Sequence, residues 1–103
     1  MARLPDIAAS FQMAVIDTLF IKSRRALEAF GCRTLVLAGG VMRNGPLREI
    51  FSSRCRELGI ALAIPAPELC TDNAAMIAQA GRQRLLAGER SDFTLDVAPN
   101  LSL

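Results

Sequence analysis

Apolar runs alternate with short polar breaks along the chain, and the spacing within each run predicts its conformation. From Pro5 to Phe30 the positions Ile7, Phe11, Ala14, Val15, Leu19, Ala26 and Phe30 recur at helical spacing. They predict one long helix. Pro5 and Asp6 open it, since Pro is tolerated in a first turn and Asp is a good N-cap. Gly31 supplies the stop. Met13, Ile16, Phe20 and Ile21 lie off that stripe, so the helix is expected to be buried between two layers.

Thr34–Ala38 (TLVLA) and Ile60–Ile64 (IALAI) are short apolar runs that read as buried strands. Between them Pro46–Leu58 reads as a helix, with Leu47, Ile50, Phe51 and Leu58 inward and Gly59 as its stop. The PAPE segment that follows the second strand reads as an extended loop fixed by its prolines. Thr71 or Asp72 caps a third helix that runs to Ala87 and stops at Gly88. Ala74, Ala75, Ala78, Ala80 and Gly81 read as its close-packing face. Residues 89–103 read as an irregular tail.

The order helix-strand-helix-strand-helix predicts an α/β fold whose two strands are parallel and joined by a right-handed crossover. Two parallel strands make a poor sheet alone, because parallel sheets normally have more strands and both faces covered. Residues 1–103 are therefore expected to be part of a larger domain.

Composition narrows the chemistry. The chain has 103 residues, 51% of them hydrophobic, with a net charge of +2 and Lys22 as its one lysine. No basic tract points to nucleic acid. His is absent, which removes the commonest general base and transition-metal ligand. Cys32, Cys55 and Cys70 form no C-x-x-C pair and are expected to be buried, reduced thiols. No signal-peptide core and no apolar run of membrane-spanning length is read, so the expected location is cytoplasmic, with no membrane partner.

The candidate chemistry sits after the strands. In parallel α/β sheets ligands bind beyond the carboxyl ends of strands. The loop after Ala38 carries Gly39, Gly40 and Asn44; the loop after Ile64 carries Glu68, Thr71, Asp72 and Asn73. Glycines there allow a sharp turn or a close ligand, and the next helix N-terminus suits phosphate. Asn44 offers one acceptor and two donors, and Asp72 offers a hard oxygen to a metal. Each has a plainer reading: Gly-Gly as a tight turn, Asn44 as a helix cap, Asp72 as a first-turn acid, Arg43 as a solvated side chain.

The segments DIAASFQ, LAGGVMRN and PELCTDNAAMIAQAG, in that order, resemble the C-terminal part of the TsaD-type tRNA threonylcarbamoyladenosine synthases, formerly described as glycoproteases. The resemblance runs from about Asp6 to Pro99. It implies a partial actin-like domain, of the superfamily that includes actin and sugar kinases. It further implies transfer of threonylcarbamoyl from its adenylate to the exocyclic amine of the adenosine beside the anticodon. Gly39 and Gly40 would then form the turn against threonylcarbamoyl-AMP or ATP, Asn44 would contact the nucleotide, and Asp72 would be a ligand of a divalent metal, iron or zinc. No catalytic residue is assigned. Implied partners are the tRNA substrate, the N-terminal part of the enzyme, and TsaB-type and TsaE-type proteins.

The chain departs from that pattern. It lacks the family's His-x-x-x-His pair, Met42 and Arg43 replace small residues, and DVAPNLSL lacks an Arg-Trp pair. A segment inactive alone is therefore expected. The alternatives are a non-catalytic, partner-binding or self-associating module, and a related carbamoyltransferase or sugar kinase. The protease description has no support, since neither a nucleophile–base pair nor an HExxH motif is present.

Overall fold

The computed structural model describes residues 3–100. Their order is α1 (Arg3–Phe30), β1 (Thr34–Val36), a 3-10 turn (Gly40–Arg43), α2 (Gly45–Glu57), β2 (Ala61–Ala63), a second 3-10 turn (Pro67–Leu69) and α3 (Ala74–Leu86). The α/β order and the parallel pairing of β1 with β2 are as expected, in the register Thr34↔Ala61, Leu35↔Leu62 and Val36↔Ala63. The residues divide into two compact units, one ending at Thr71 and the other beginning at Asp72.

The first unit holds the core. Ile16, Phe20, Met42, Leu47, Phe51, Cys55 and Cys70 are buried together, with Leu35, Leu37, Ile60, Leu62 and Ile64 packed against them. Alternation along a strand puts Leu35 and Leu37 on one face, and Ile60, Leu62 and Ile64 on one face. Both α1 and α2 cover that face. The other face is bare: Val36 is 68% exposed, and Thr34, Ala61 and Ala63 are exposed with it.

The α1 stripe is corrected by this arrangement. Ile16 and Phe20, which lie off the expected stripe, are the buried residues, while Ile7, Phe11 and Phe30 are exposed. The helix packs against one layer only, so one side of an all-round apolar surface stays open. Phe20 meets Phe51 edge-to-face, with centroids 5.2 Å apart. The Arg54 guanidinium lies 5.3 Å from the centre of the Phe20 ring and pairs with Asp17 at 2.7 Å, closing the α1–α2 contact. Contrary to expectation, α1 is long and apolar enough to cross a membrane by length and composition. Ile16 and Phe20, however, are committed to the α/β core.

The remaining differences lie at element ends. Asp6 sits in the first turn of α1 rather than at its N-cap, because the helix already runs from Arg3. Ile50 is half-buried and Leu58, expected inward, is 52% exposed. PAPE does not stay extended: Pro67–Leu69 close a 3-10 turn.

In the second unit, α3 is capped by Asn73, whose side chain accepts from Met76 N at 3.1 Å. Neither Thr71 nor Asp72 is the cap. No α3 residue is buried, so the expected close-packing alanine face is exposed. Residues 89–100 contain no helix or strand; residues 101–103, the end of the expected tail, lie outside the described residues.

Candidate functional site

The chain leaves β1 through Leu37, whose N–H donates to Ala63 O at 3.0 Å, and turns at Gly39. Gly39 has φ 100° and ψ 169°, a region essentially closed to residues with a Cβ. The tight-turn reading of Gly39 therefore holds on backbone grounds alone. Gly40 is different. Its φ is ordinary, and a Cβ there would stand 4.0 Å from Thr71 Cγ2, a normal contact. Local structure leaves Gly40 free to vary, so its small size remains open to a functional reason.

Gly40–Arg43 form one 3-10 turn, closed by Met42 N to Gly39 O at 3.0 Å and Asn44 N to Val41 O at 3.1 Å. The amides of Gly40 and Val41 begin the turn and have no intrahelical acceptor. Met42 points into the core and is 7% exposed, which anchors the turn; Arg43 is exposed.

Asn44 closes the turn and opens α2. Its Oδ1 accepts from Leu47 N at 2.9 Å, so the capping reading is correct. Its Nδ2 donates to Gln12 Oε1 of α1 at 3.0 Å. The two bonds fix which way the amide faces. One N–H and further lone-pair capacity remain on this half-buried group.

The loops after the two strands converge within the first unit. Arg48 of α2 donates from Nη1 to Met42 O at 3.0 Å and from Nη2 to Pro65 O at 2.8 Å. Cys70 is 4% exposed and its thiol lies 3.5 Å from Ala66 O. Sequence reasoning missed Gln12 and Arg48. Gln12 carried a faint signal as a polar residue inside the apolar Phe11–Ile16 stretch. Arg48 carried another: a cation in the first turns of a helix opposes its dipole and calls for compensation.

Gly39, Gly40 and Asn44 are thus brought together in one turn of the first unit. Asp72 belongs to the second unit and is exposed. Among the described residues no group of three His, Cys, Asp or Glu side chains is arranged to hold a metal. These residues do not fit a resident metal by themselves. The cysteines also differ from expectation in part: Cys55 and Cys70 are buried, whereas Cys32 is exposed. Burial raises the Cys55 thiol above its ordinary pKa. A groove of about 470 Å³ lies beside β2 and is walled by Arg48, Ser52, Arg56 and Leu62, away from the glycine turn.

The family model described as TsaD, tRNA N6-adenosine threonylcarbamoyltransferase, matches residues 1–79. That span includes all of the first unit and Asp72. Three helices and one parallel strand pair agree with a fragment of the family's actin-like fold. On that match, which covers well over half of its residues, the chain belongs to the TsaD family of tRNA N6-adenosine threonylcarbamoyltransferases.

Proposed function

We propose that this chain is the C-terminal segment of a threonylcarbamoyl transferase and that its Gly39–Asn44 turn holds the adenylate. The observation that carries the reading is that the family match spans a turn whose second glycine has no local structural need to be one. Gly40 without a side chain admits a phosphate to the open amides of Gly40 and Val41. The free N–H of Asn44 is then a directed donor to the nucleotide.

In the proposed reaction the exocyclic amine of the adenosine beside the anticodon attacks the carbamoyl carbonyl carbon of threonylcarbamoyl-AMP. The bond from that carbon to the phosphate oxygen breaks, AMP leaves, and the amine gives up a proton. The residues described here bind and orient the adenylate half of that substrate; none is placed as the proton acceptor. Asp72 would supply one carboxylate oxygen to an iron or zinc ion, which would need further ligands from the N-terminal part of the enzyme. The segment is inactive alone and works in the cytoplasm with the His-bearing N-terminal part, tRNA, and TsaB-type and TsaE-type partners.

The exposed α1 residues Leu4, Ile7 and Phe11 favour a second reading, an association module without catalysis.

Titration of the 15N-labelled chain with AMP tests the nucleotide reading. Amide shifts centred on Gly39, Gly40, Val41 and the Asn44 side chain are expected. Shifts confined to Arg56, or no shifts up to millimolar AMP, would remove the turn from the site.

A further inference from the structure

We propose that Arg48 is a positioning residue: it locks the turn after β1 to the loop after β2 and so sets the geometry in which the turn meets a nucleotide. The proposal rests on the reading of Gly39–Asn44 as an adenylate-holding turn.

Arg48 stands in the first turns of α2, near the positive end of the helix dipole, where a cation is disfavoured. None of the ion pairs among the described residues includes it. Its partners are main-chain carbonyls from two separate loops, Met42 O at 3.0 Å and Pro65 O at 2.8 Å. Cys70 Sγ, at 3.9 Å from Nη1, packs beside the same guanidinium and itself lies 3.8 Å from Pro65 O.

A planar guanidinium reaches both carbonyls because its donors diverge in a fixed fork. A lysine ammonium at the end of a flexible stem has no such fork. Hydrogen bonds from a charged donor are also the stronger kind. Arg48 therefore completes a three-point hold on the turn. Met42 anchors it in the core, Asn44 is fixed between Leu47 N and Gln12, and Arg48 ties the Met42 carbonyl to the second loop. Binding to a segment already held in place avoids the cost of ordering it when the ligand arrives. The two β-strands are only three residues long, so they do little to hold the loops that follow them.

The test compares Arg48→Lys and Arg48→Met in the 103-residue chain with two readouts. The first is amide hydrogen exchange at Met42 and Asn44 in one loop and at Leu69 and Cys70 in the other. These four amides donate to Gly39, Val41, Ala66 and Pro67 carbonyls, so each reports on its own turn. In Arg48→Met, protection at all four is expected to fall together by about tenfold, the effect of losing roughly one charged hydrogen bond. Arg48→Lys falls less. The second readout is AMP affinity, measured below the melting transition of each variant. It is expected to weaken in the order Arg, Lys, Met, by about tenfold overall. A merely structural arginine would lower the melting temperature and leave the AMP affinity of the folded protein unchanged.

Unchanged AMP affinity in folded Arg48→Met, or loss of protection in one loop only, overturns the proposal. If Arg48→Met does not fold, Arg48→Lys decides by the same two criteria. If the unsubstituted chain fails to bind AMP, the adenylate reading fails instead, and the locking of the two loops stands or falls on hydrogen exchange.

Discussion

Gln12 and Asn44 are joined by a single hydrogen bond, Asn44 Nδ2 to Gln12 Oε1 at 3.0 Å, that ties the N-terminal half of α1 to the N-cap of α2. The oxygen of the same amide caps α2 through Leu47 N. Capping needs only the oxygen, so Asp would serve it equally well. The amide nitrogen is what the capping role leaves unexplained.

Asn44 variants separate the two roles. Asn44→Ala removes the cap and is expected to cost about 1 kcal/mol in urea denaturation. Asn44→Asp keeps the cap, and Gln12 can turn its own amide to donate to the new carboxylate, so stability should change by less than about 0.5 kcal/mol. The same Asp places a negative charge at the proposed adenylate turn, so AMP affinity should fall sharply. Equal AMP affinity in Asn44→Asp would leave Asn44 a cap and nothing more.

The two glycines are expected to behave oppositely. Gly39→Ala forces a Cβ into a backbone region essentially reserved for glycine and should destabilise by about 1–3 kcal/mol. Gly40→Ala meets only Thr71 Cγ2 at an ordinary distance and should stay within about 0.5 kcal/mol. Its effect should appear in AMP affinity, where the added methyl crowds the approach. Thermal melts together with AMP titration check both halves.

Core truncation should be severe because the core is small. Phe51 is 1% exposed and carries the edge-to-face contact with Phe20. Phe51→Ala is expected to cost about 3–5 kcal/mol and to leave little folded protein, since small domains hold only about 5–15 kcal/mol in all. Ile7, at 62% exposure, provides the contrast. Ile7→Ser should leave the melting temperature within a few degrees, and circular dichroism distinguishes the two.

The thiols should divide by burial. Cys32 is exposed, while Cys55 is buried and its pKa is raised by desolvation. At pH 7–8 a thiol reagent such as DTNB is expected to consume one thiol quickly and two only on unfolding. The raised Cys55 pKa also fixes a sign. The stability it contributes is fully present below the pKa of an unfolded cysteine and is lost as pH rises through the higher folded value. An urea midpoint that fell at alkaline pH in the native chain and less in Cys55→Ala would show this.

Much of this architecture was legible in the sequence, and its failures have physical causes. The strands, α2 and the glycine stops at Gly31, Gly59 and Gly88 were readable because each is a local event; all three glycines have positive φ. The α1 stripe was misjudged because a helix apolar all round has no unique inward face, and only its neighbours decide that Ile16 and Phe20 turn in. Thr71, Asp72 and Asn73 are consecutive capping residues, and the extended backbone of Asn73 selects the third. The two 3-10 turns were missed because three or four residues are too few to show a period. Gly39, Gly40 and Asn44 could be singled out from strand-end logic. Arg48 could not be assigned partners, because main-chain carbonyls in distant loops leave no mark in a sequence.

The most direct test of the central claim is reconstitution of tRNA modification. The chain is joined to, or mixed with, the His-x-x-x-His-bearing N-terminal part of a TsaD-family transferase. It is supplied with tRNA, threonylcarbamoyl-AMP, iron or zinc, and the TsaB-type and TsaE-type partners. Threonylcarbamoyladenosine in the digested tRNA is then measured by mass spectrometry. The account predicts no product from either part alone, product from the two together, and a loss of at least about tenfold with Gly40→Ala or Asn44→Asp in this chain. Full activity with both substitutions, or no product from a correctly assembled mixture, would contradict it.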